Sequence, residues 1–168
     1  MRKLLALTLF ATVFAGSTVF AQQDKSKRAS PPAVVTQTLR TGAVVTIDYS
    51  QPALKDRAIG KDIAPYGKVW RTGANEATTF EVSKDVTIEG KALPAGKYSL
   101  YTIPGEKEWT IIFNKALGQW GTVYKEDQDQ LRVTVKPEST ESLKERFTFT
   151  TVPLPGPLSD CCEFAAAF

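Results

Sequence analysis

Lys97-Tyr-Ser-Leu-Tyr-Thr-Ile103, then Pro104-Gly-Glu-Lys107, then Trp109-Thr-Ile-Ile-Phe113 is the stretch that decides the fold. The first and last segments are rich in aromatic and β-branched residues, which suit a pleated, half-buried surface. Between them, Pro104 pre-sets one turn dihedral and Gly105 admits a positive one, so the chain reverses. In an extended return strand Trp109, Ile111 and Phe113 share one face. This is a β-hairpin, and the same grammar repeats on both sides of it.

Upstream, Leu93-Pro-Ala-Gly96 and Glu89-Gly-Lys91 read as turns, and residues 78–83 and 86–89 as short strands. Further back, Val45, Ile47 and Tyr49 alternate with Val44, Thr46 and Asp48, and Arg40-Thr-Gly42 turns this strand back onto Val35, Gln37 and Leu39. Downstream, Leu131, Val133 and Val135 alternate with Arg132, Thr134 and Lys136, and Phe147 and Phe149 point inward from a last strand over 146–151. About eight strands on short turns, with no helical period, predict an all-β chain: one antiparallel β-sandwich or barrel-like domain.

The N-terminus reads as a signal peptide. Arg2 and Lys3 precede an apolar run over 4–14, and Val19 and Ala21 stand at the small-residue positions that predict cleavage after Ala21. The run is about half the ~20 residues a membrane helix needs, and no later segment is long and apolar enough. The expected location is therefore periplasmic or secreted, with no membrane span after signal removal. Residues 22–32, carrying Lys25, Lys27 and Arg28, read as a flexible leader, and 33–152 as the β domain. Arg2 and Lys3 account for two of the 21 basic side chains against 18 acidic ones. Losing them leaves the chain nearly neutral, without the charge footprint of a nucleic-acid binder.

The chain has no histidine, which excludes Ser-His-Asp and Cys-His nucleophile systems and imidazole-held zinc or copper. Asp127-Gln-Asp129 is too sparse for a calcium loop. No cofactor or metal is expected. Cys161 and Cys162 are adjacent, a strained spacing for a mutual bridge, so they are expected free or paired between chains. Residues 153–168 form an atypical tail. Val152-Pro-Leu-Pro-Gly-Pro157 cannot pair in a central strand, and 161–168 lack a period of two. An abrupt change of composition there reads as truncation or a shifted frame.

Several segments together resemble one family: Val45-Thr-Ile-Asp-Tyr-Ser-Gln-Pro52, Pro65-Tyr-Gly-Lys-Val-Trp-Arg-Thr-Gly-Ala-Asn-Glu76, Leu93-Pro-Ala-Gly-Lys-Tyr-Ser-Leu100, Trp109-Thr-Ile-Ile-Phe-Asn-Lys115 and Gln119-Trp-Gly121. The chain is similar to the DUF2911 family, exported bacterial proteins common in Bacteroidetes. The resemblance runs from about Ser30 to Phe149. It implies a β-rich exported domain and brings no established activity. Family members continue with a further apolar strand bearing tryptophan, a pattern absent here.

The candidate site follows from the residues. Trp70, Arg71, Asn75 and Glu76 place a ring, a cation, an amide and a carboxylate within one loop of a β scaffold, where binding groups usually sit. Asn114, Lys115 and Trp120 form a second polar-aromatic cluster. If the two loops share one end of the sheet, these seven residues line a cleft suited to an envelope glycan or peptide. If the loop turns at Gly73, Arg71 comes back beside Asn75 or Glu76, and an Arg71–Glu76 fork would either orient Glu76 or pin the loop. The leading expectation is a binding or interaction module without catalysis. The alternatives are a histidine-free hydrolase using Glu76 with a second carboxylate such as Asp48, and a purely structural domain in which Arg71, Asn75 and Glu76 brace the loop.

Overall fold

The computed structural model describes residues 24–138, 142–153 and 162–168. Residues 1–23, on which the expected signal peptide falls, and the Pro-rich segment 154–160 lie outside the described residues, as do the side chains of Cys161 and Cys162.

Ten strands follow one another: β1 (Pro32–Thr38), β2 (Val44–Ser50), β3 (Thr78–Val82), β4 (Val86–Ile88), β5 (Lys91–Leu93), β6 (Gly96–Ile103), β7 (Trp109–Asn114), β8 (Asp129–Val135), β9 (Thr148–Pro153) and β10 (Cys162–Ala167). Six form one antiparallel sheet in the order β1-β2-β3-β6-β7-β8, while β4–β5 and β9–β10 are separate antiparallel hairpins. The hairpin expected around Pro104 is β6–β7, with Leu100 opposite Phe113 and Tyr101 opposite Ile112. Between β4 and β5, Glu89 and Gly90 both take positive φ, as a tight two-residue hairpin turn demands.

Alternation assigns the two faces of the sheet. On the first, Val45, Ile47 and Tyr49 of β2 join Phe80 and Val82 of β3, Tyr98 and Leu100 of β6, Phe113 of β7 and Val133 of β8 in the main core. That core is closed by Leu93, Phe147, Phe149 and Phe168, with Val86 and Ile88 packed against it, and by Leu54, Ile63 and Ala64 from the long β2–β3 connection. The second layer is thus two hairpins and a loop, which makes the fold sandwich-like. The opposite face carries a smaller cluster, Ala77, Tyr101 and Ile112 with Ile103 and Tyr124.

Five rings tie the layers together. Phe147 meets Trp70 edge-on at 5.1 Å and Phe149 at 5.2 Å, Tyr49 meets Phe149 at 4.9 Å, and Phe168 lies 5.1 Å from Phe147. Edge-to-face pairs at such distances stabilise beyond their buried area.

The tail departs from the sequence reading. Residues 162–167 lack alternation, yet they pair with β9 across six positions, Cys162 opposite Pro153 and Ala167 opposite Thr148. Small side chains permit pairing without announcing it, and Phe168 then reaches the core. Proline is tolerated in β9 because a two-stranded ribbon leaves one edge unpaired. No helix among the described residues is long and apolar enough to cross a membrane.

Candidate functional site

The loop bearing Trp70 enters the sheet where β3 leaves off. β3 pairs with β6 from Thr78 opposite Leu100. One step further along β6, Trp70 donates its backbone N–H to Thr102 O at 2.7 Å and accepts from Thr102 N–H at 2.8 Å. This places the Trp70 ring on the core side, against Phe147 and Phe168. Adjacent residues of an extended segment point opposite ways, so Arg71 falls on the other side.

The loop then doubles back. Thr72 takes φ 50° and Asn75 φ 61°. A left-handed conformation is ordinary for Asn but a genuine outlier for β-branched Thr, and such strain is held only where the surroundings over-determine it. Buried Thr72 is over-determined: its hydroxyl donates to Thr102 Oγ1 at 3.2 Å, and its carbonyl accepts from Thr78 Oγ1 at 2.9 Å. Asn75 Nδ2 donates to Ser30 O at 3.2 Å.

The second loop meets the first directly. Glu76 and Trp120 form an antiparallel bridge, and Gly121 N–H donates to Asn75 O at 3.1 Å. Gly121 is glycine for reasons of space: a Cβ there would lie 2.3 Å from Arg71 Cδ and 2.9 Å from Asn75 O. The stem of Arg71 therefore runs across Gly121.

Two depressions flank this crossing. One, of about 260 Å³, is walled by Val69, Trp70, Arg71, Gly121, Thr122 and Tyr124. The other, of about 310 Å³, lies between this loop and the earlier part of the same β2–β3 connection and includes Ser30, Arg57, Asp62, Ala74 and Asn75. Trp70 and Arg71 border both.

The expected Arg71–Glu76 fork does not form. Glu76 accepts from Arg28 Nη1 at 2.9 and 2.8 Å and lies 3.5 Å from Lys25 Nζ. The Arg28 hydrogen bonds hold its carboxyl below the ordinary carboxylate value. Residues that read as a solvated leader are thus ion-paired to the site loop. Lys25–Lys27 forms a short 3-10 turn capped by Asp24. Arg71, in contrast, makes no hydrogen bond or ion pair among the described residues, and burial pushes its guanidinium below the ordinary arginine value.

The other expected residues fall differently. Asn114 is fully buried, and its amide donates to Lys125 O at 2.6 Å and Asp129 Oδ1 at 2.7 Å, bracing the 115–128 loop. It touches neither depression. Lys115 is exposed, held only through its backbone N–H on Gln128 O. Trp120, 51% exposed, stands at the rim beside Gly121.

Sequence reasoning missed Tyr124. Its hydroxyl donates to Asp129 Oδ2 at 2.6 Å and accepts from Arg132 Nη2 at 2.7 Å. Burial, then the Asp129 hydrogen bond, push its pKa up to about 12. Arg132 Nε also donates to Asp129 Oδ2 at 2.6 Å, which makes a closed network behind the wall of the first depression. Beneath the second loop, Gln119 Nε2 donates to Tyr101 Oη at 3.0 Å and to Ala116 O at 3.1 Å.

A family model described as a protein of unknown function, DUF2911, matches residues 30–155. The chain belongs to the DUF2911 family. The match covers the whole six-stranded sheet, both site loops and β9 of this DUF2911 protein. No curated protein and no solved structure matches the chain.

Proposed function

We propose that this DUF2911 protein is a binding module without catalysis, acting at the cell envelope on a carbohydrate or peptide ligand taken up where the 65–76 and 119–124 loops cross. One observation carries the reading. The crossing carries Trp70 and a half-buried guanidinium that has no hydrogen-bond or ion-pair partner among the described residues, between two adjoining depressions. Concave ground with an aromatic wall and a few convergent polar groups is the usual form of a ligand site.

The hydrolase alternative is disfavoured by the commitment of Glu76 to Arg28. A purely structural loop would be expected to satisfy Arg71 internally, as it satisfies Thr72, Asn75 and Glu76. The proposal includes export: residues 1–21 as signal peptide cleaved after Ala21, then a leader over 22–32 whose basic side chains dock on Glu76.

The test is intrinsic tryptophan fluorescence of the mature protein, titrated with a panel of envelope glycans and peptides, alongside product analysis of the same mixtures. Saturable shifts without new products are expected. A silent panel with correctly folded protein refutes binding, and turnover lost in Glu76→Gln refutes the absence of catalysis.

A further inference from the structure

Among the described residues, five charged side chains are partly buried: Arg28, Arg71, Glu76, Asp129 and Arg132. Four of them are paired, Arg28 with Glu76 and Arg132 with Asp129. Arg71 is the fifth. A guanidinium stripped of part of its hydration is destabilised unless a partner replaces the lost water, and arginine cannot escape by deprotonating. The fold spends Gly121 to let the Arg71 stem pass, yet supplies no acceptor at its end.

We infer that Arg71 is the recognition point for a carboxylate on the ligand, seated in the depression between Trp70, Gly121, Thr122 and Tyr124. This rests on the reading that the crossing binds a ligand at all, and it names the group that is read. Three features select the chemistry. The guanidinium presents a planar fork that matches a carboxylate bidentately. No internal carboxylate competes for it: Glu76 is held by Arg28 and Lys25, Asp129 by Asn114, Tyr124 and Arg132, and Asp62 of the second depression accepts from Ala58 N–H at 3.0 Å. Among the described residues, Arg71 is also the only cation lining this depression, which suits a monoanion and leaves a phosphate dianion undercompensated.

The volume of about 260 Å³ fits one sugar ring or one amino-acid residue. Beside Arg71, Val69 and Tyr124 also line the depression and offer apolar contact to the body, and Thr122 adds a hydroxyl-bearing residue to the lining. A uronic acid and a peptide α-carboxylate present the same group.

The experiment records side-chain and backbone 1H–15N spectra of the mature protein. Titrants are sodium D-glucuronate and N-acetyl-L-alanine, each against its uncharged counterpart, methyl glucoside and N-acetyl-L-alaninamide. The inference expects at least one acid to bind tenfold or more tighter than its counterpart, with shifts at Arg71 Nε–Hε, Gly121 and Thr122. Arg71→Gln should abolish the preference for the acid, and Arg71→Lys should keep part of it, both with unchanged spectral dispersion. The two acids separate the sugar source from the peptide source. Equal binding of acid and neutral probes at these resonances overturns the carboxylate inference and leaves the binding reading standing. Absence of binding by both acids overturns the inference too, and the glycan and peptide panel then decides the binding reading by itself.

Discussion

Replacing Gly121 by alanine tests how the fold holds Arg71. The added methyl would sit 2.3 Å from Arg71 Cδ, 3.0 Å from Arg71 Cβ and 2.9 Å from Asn75 O. Carbon pairs normally rest at about 3.5–4.0 Å, so the Arg71 stem must swing by more than ~1 Å. The backbone cannot simply retreat, because Gly121 N–H is tied to Asn75 O at 3.1 Å, a bond whose net worth is about 1 kcal/mol. Overpacking of well-fitted sites costs about 1–3 kcal/mol. One clashing partner is the mobile part of an arginine, so the lower half of that range applies, about 1–2 kcal/mol. Urea unfolding followed by tryptophan emission reads the stability loss, and the glucuronate titration reads the displacement of the guanidinium. The expectation is a modest fall in midpoint together with loss of most carboxylate affinity. A variant equal to wild type in both assays would refute the claim that Arg71 is seated on Gly121.

Glu76→Gln should release the 24–28 segment, at about 0.5–1 kcal/mol because the pair is partly solvent-screened, and speed proteolysis within it. The same contact gives a pH signature: the Glu76 carboxyl is depressed in the folded state, so its contribution is present above the ordinary glutamate value and fades as pH falls through the lower folded value. Protection of the segment that stays undiminished down to acid unfolding would contradict this. Asp129→Asn should lower the Tyr124 ionisation from about 12 while leaving the burial contribution, as read by ultraviolet tyrosinate titration; an unmoved midpoint would count against the network. Phe168→Ala should cost about 3 kcal/mol, the lower end for a buried phenylalanine, because the ring packs on Phe147 and Trp70. An unchanged unfolding midpoint would show that the tail is not part of the core.

The β6–β7 hairpin was legible because alternation flanks a Pro-Gly reversal, but Gly105 does not take the positive φ expected of it; it is glycine because a Cβ there would lie 2.5 Å from Glu108 O. The core faces of β2 and β8 followed from the same period. β10 was illegible: Ala165-Ala-Ala167 carries no alternation, and only the partner β9 makes it a strand. At the site, the sequence posed the meeting of the two loops only as a condition, and the Glu76–Trp120 backbone bridge meets it. The partner of Glu76 was not visible, since Arg28 lies 48 positions away in a stretch whose charges suggested a tether. Asn114 looked like a ligand-facing amide, but a buried amide beside the irregularity in β7 serves to satisfy loop backbone. The solitude of Arg71 has no sequence signal of its own. Gly121 was its nearest trace, a glycine at an ordinary φ whose reason is the side chain crossing it.

The central claim is that the Arg71 guanidinium, without a partner among the described residues, waits between two depressions. The Nε–Hε resonance of Arg71 in the ligand-free protein tests this most directly. The account predicts rapid hydrogen exchange and free side-chain rotation there, in contrast to the slow, ordered Arg132 signal, with protection appearing when a carboxylate probe is added. A slow-exchanging, rigid Arg71 before any ligand is present would reveal an acceptor already in place and would contradict it.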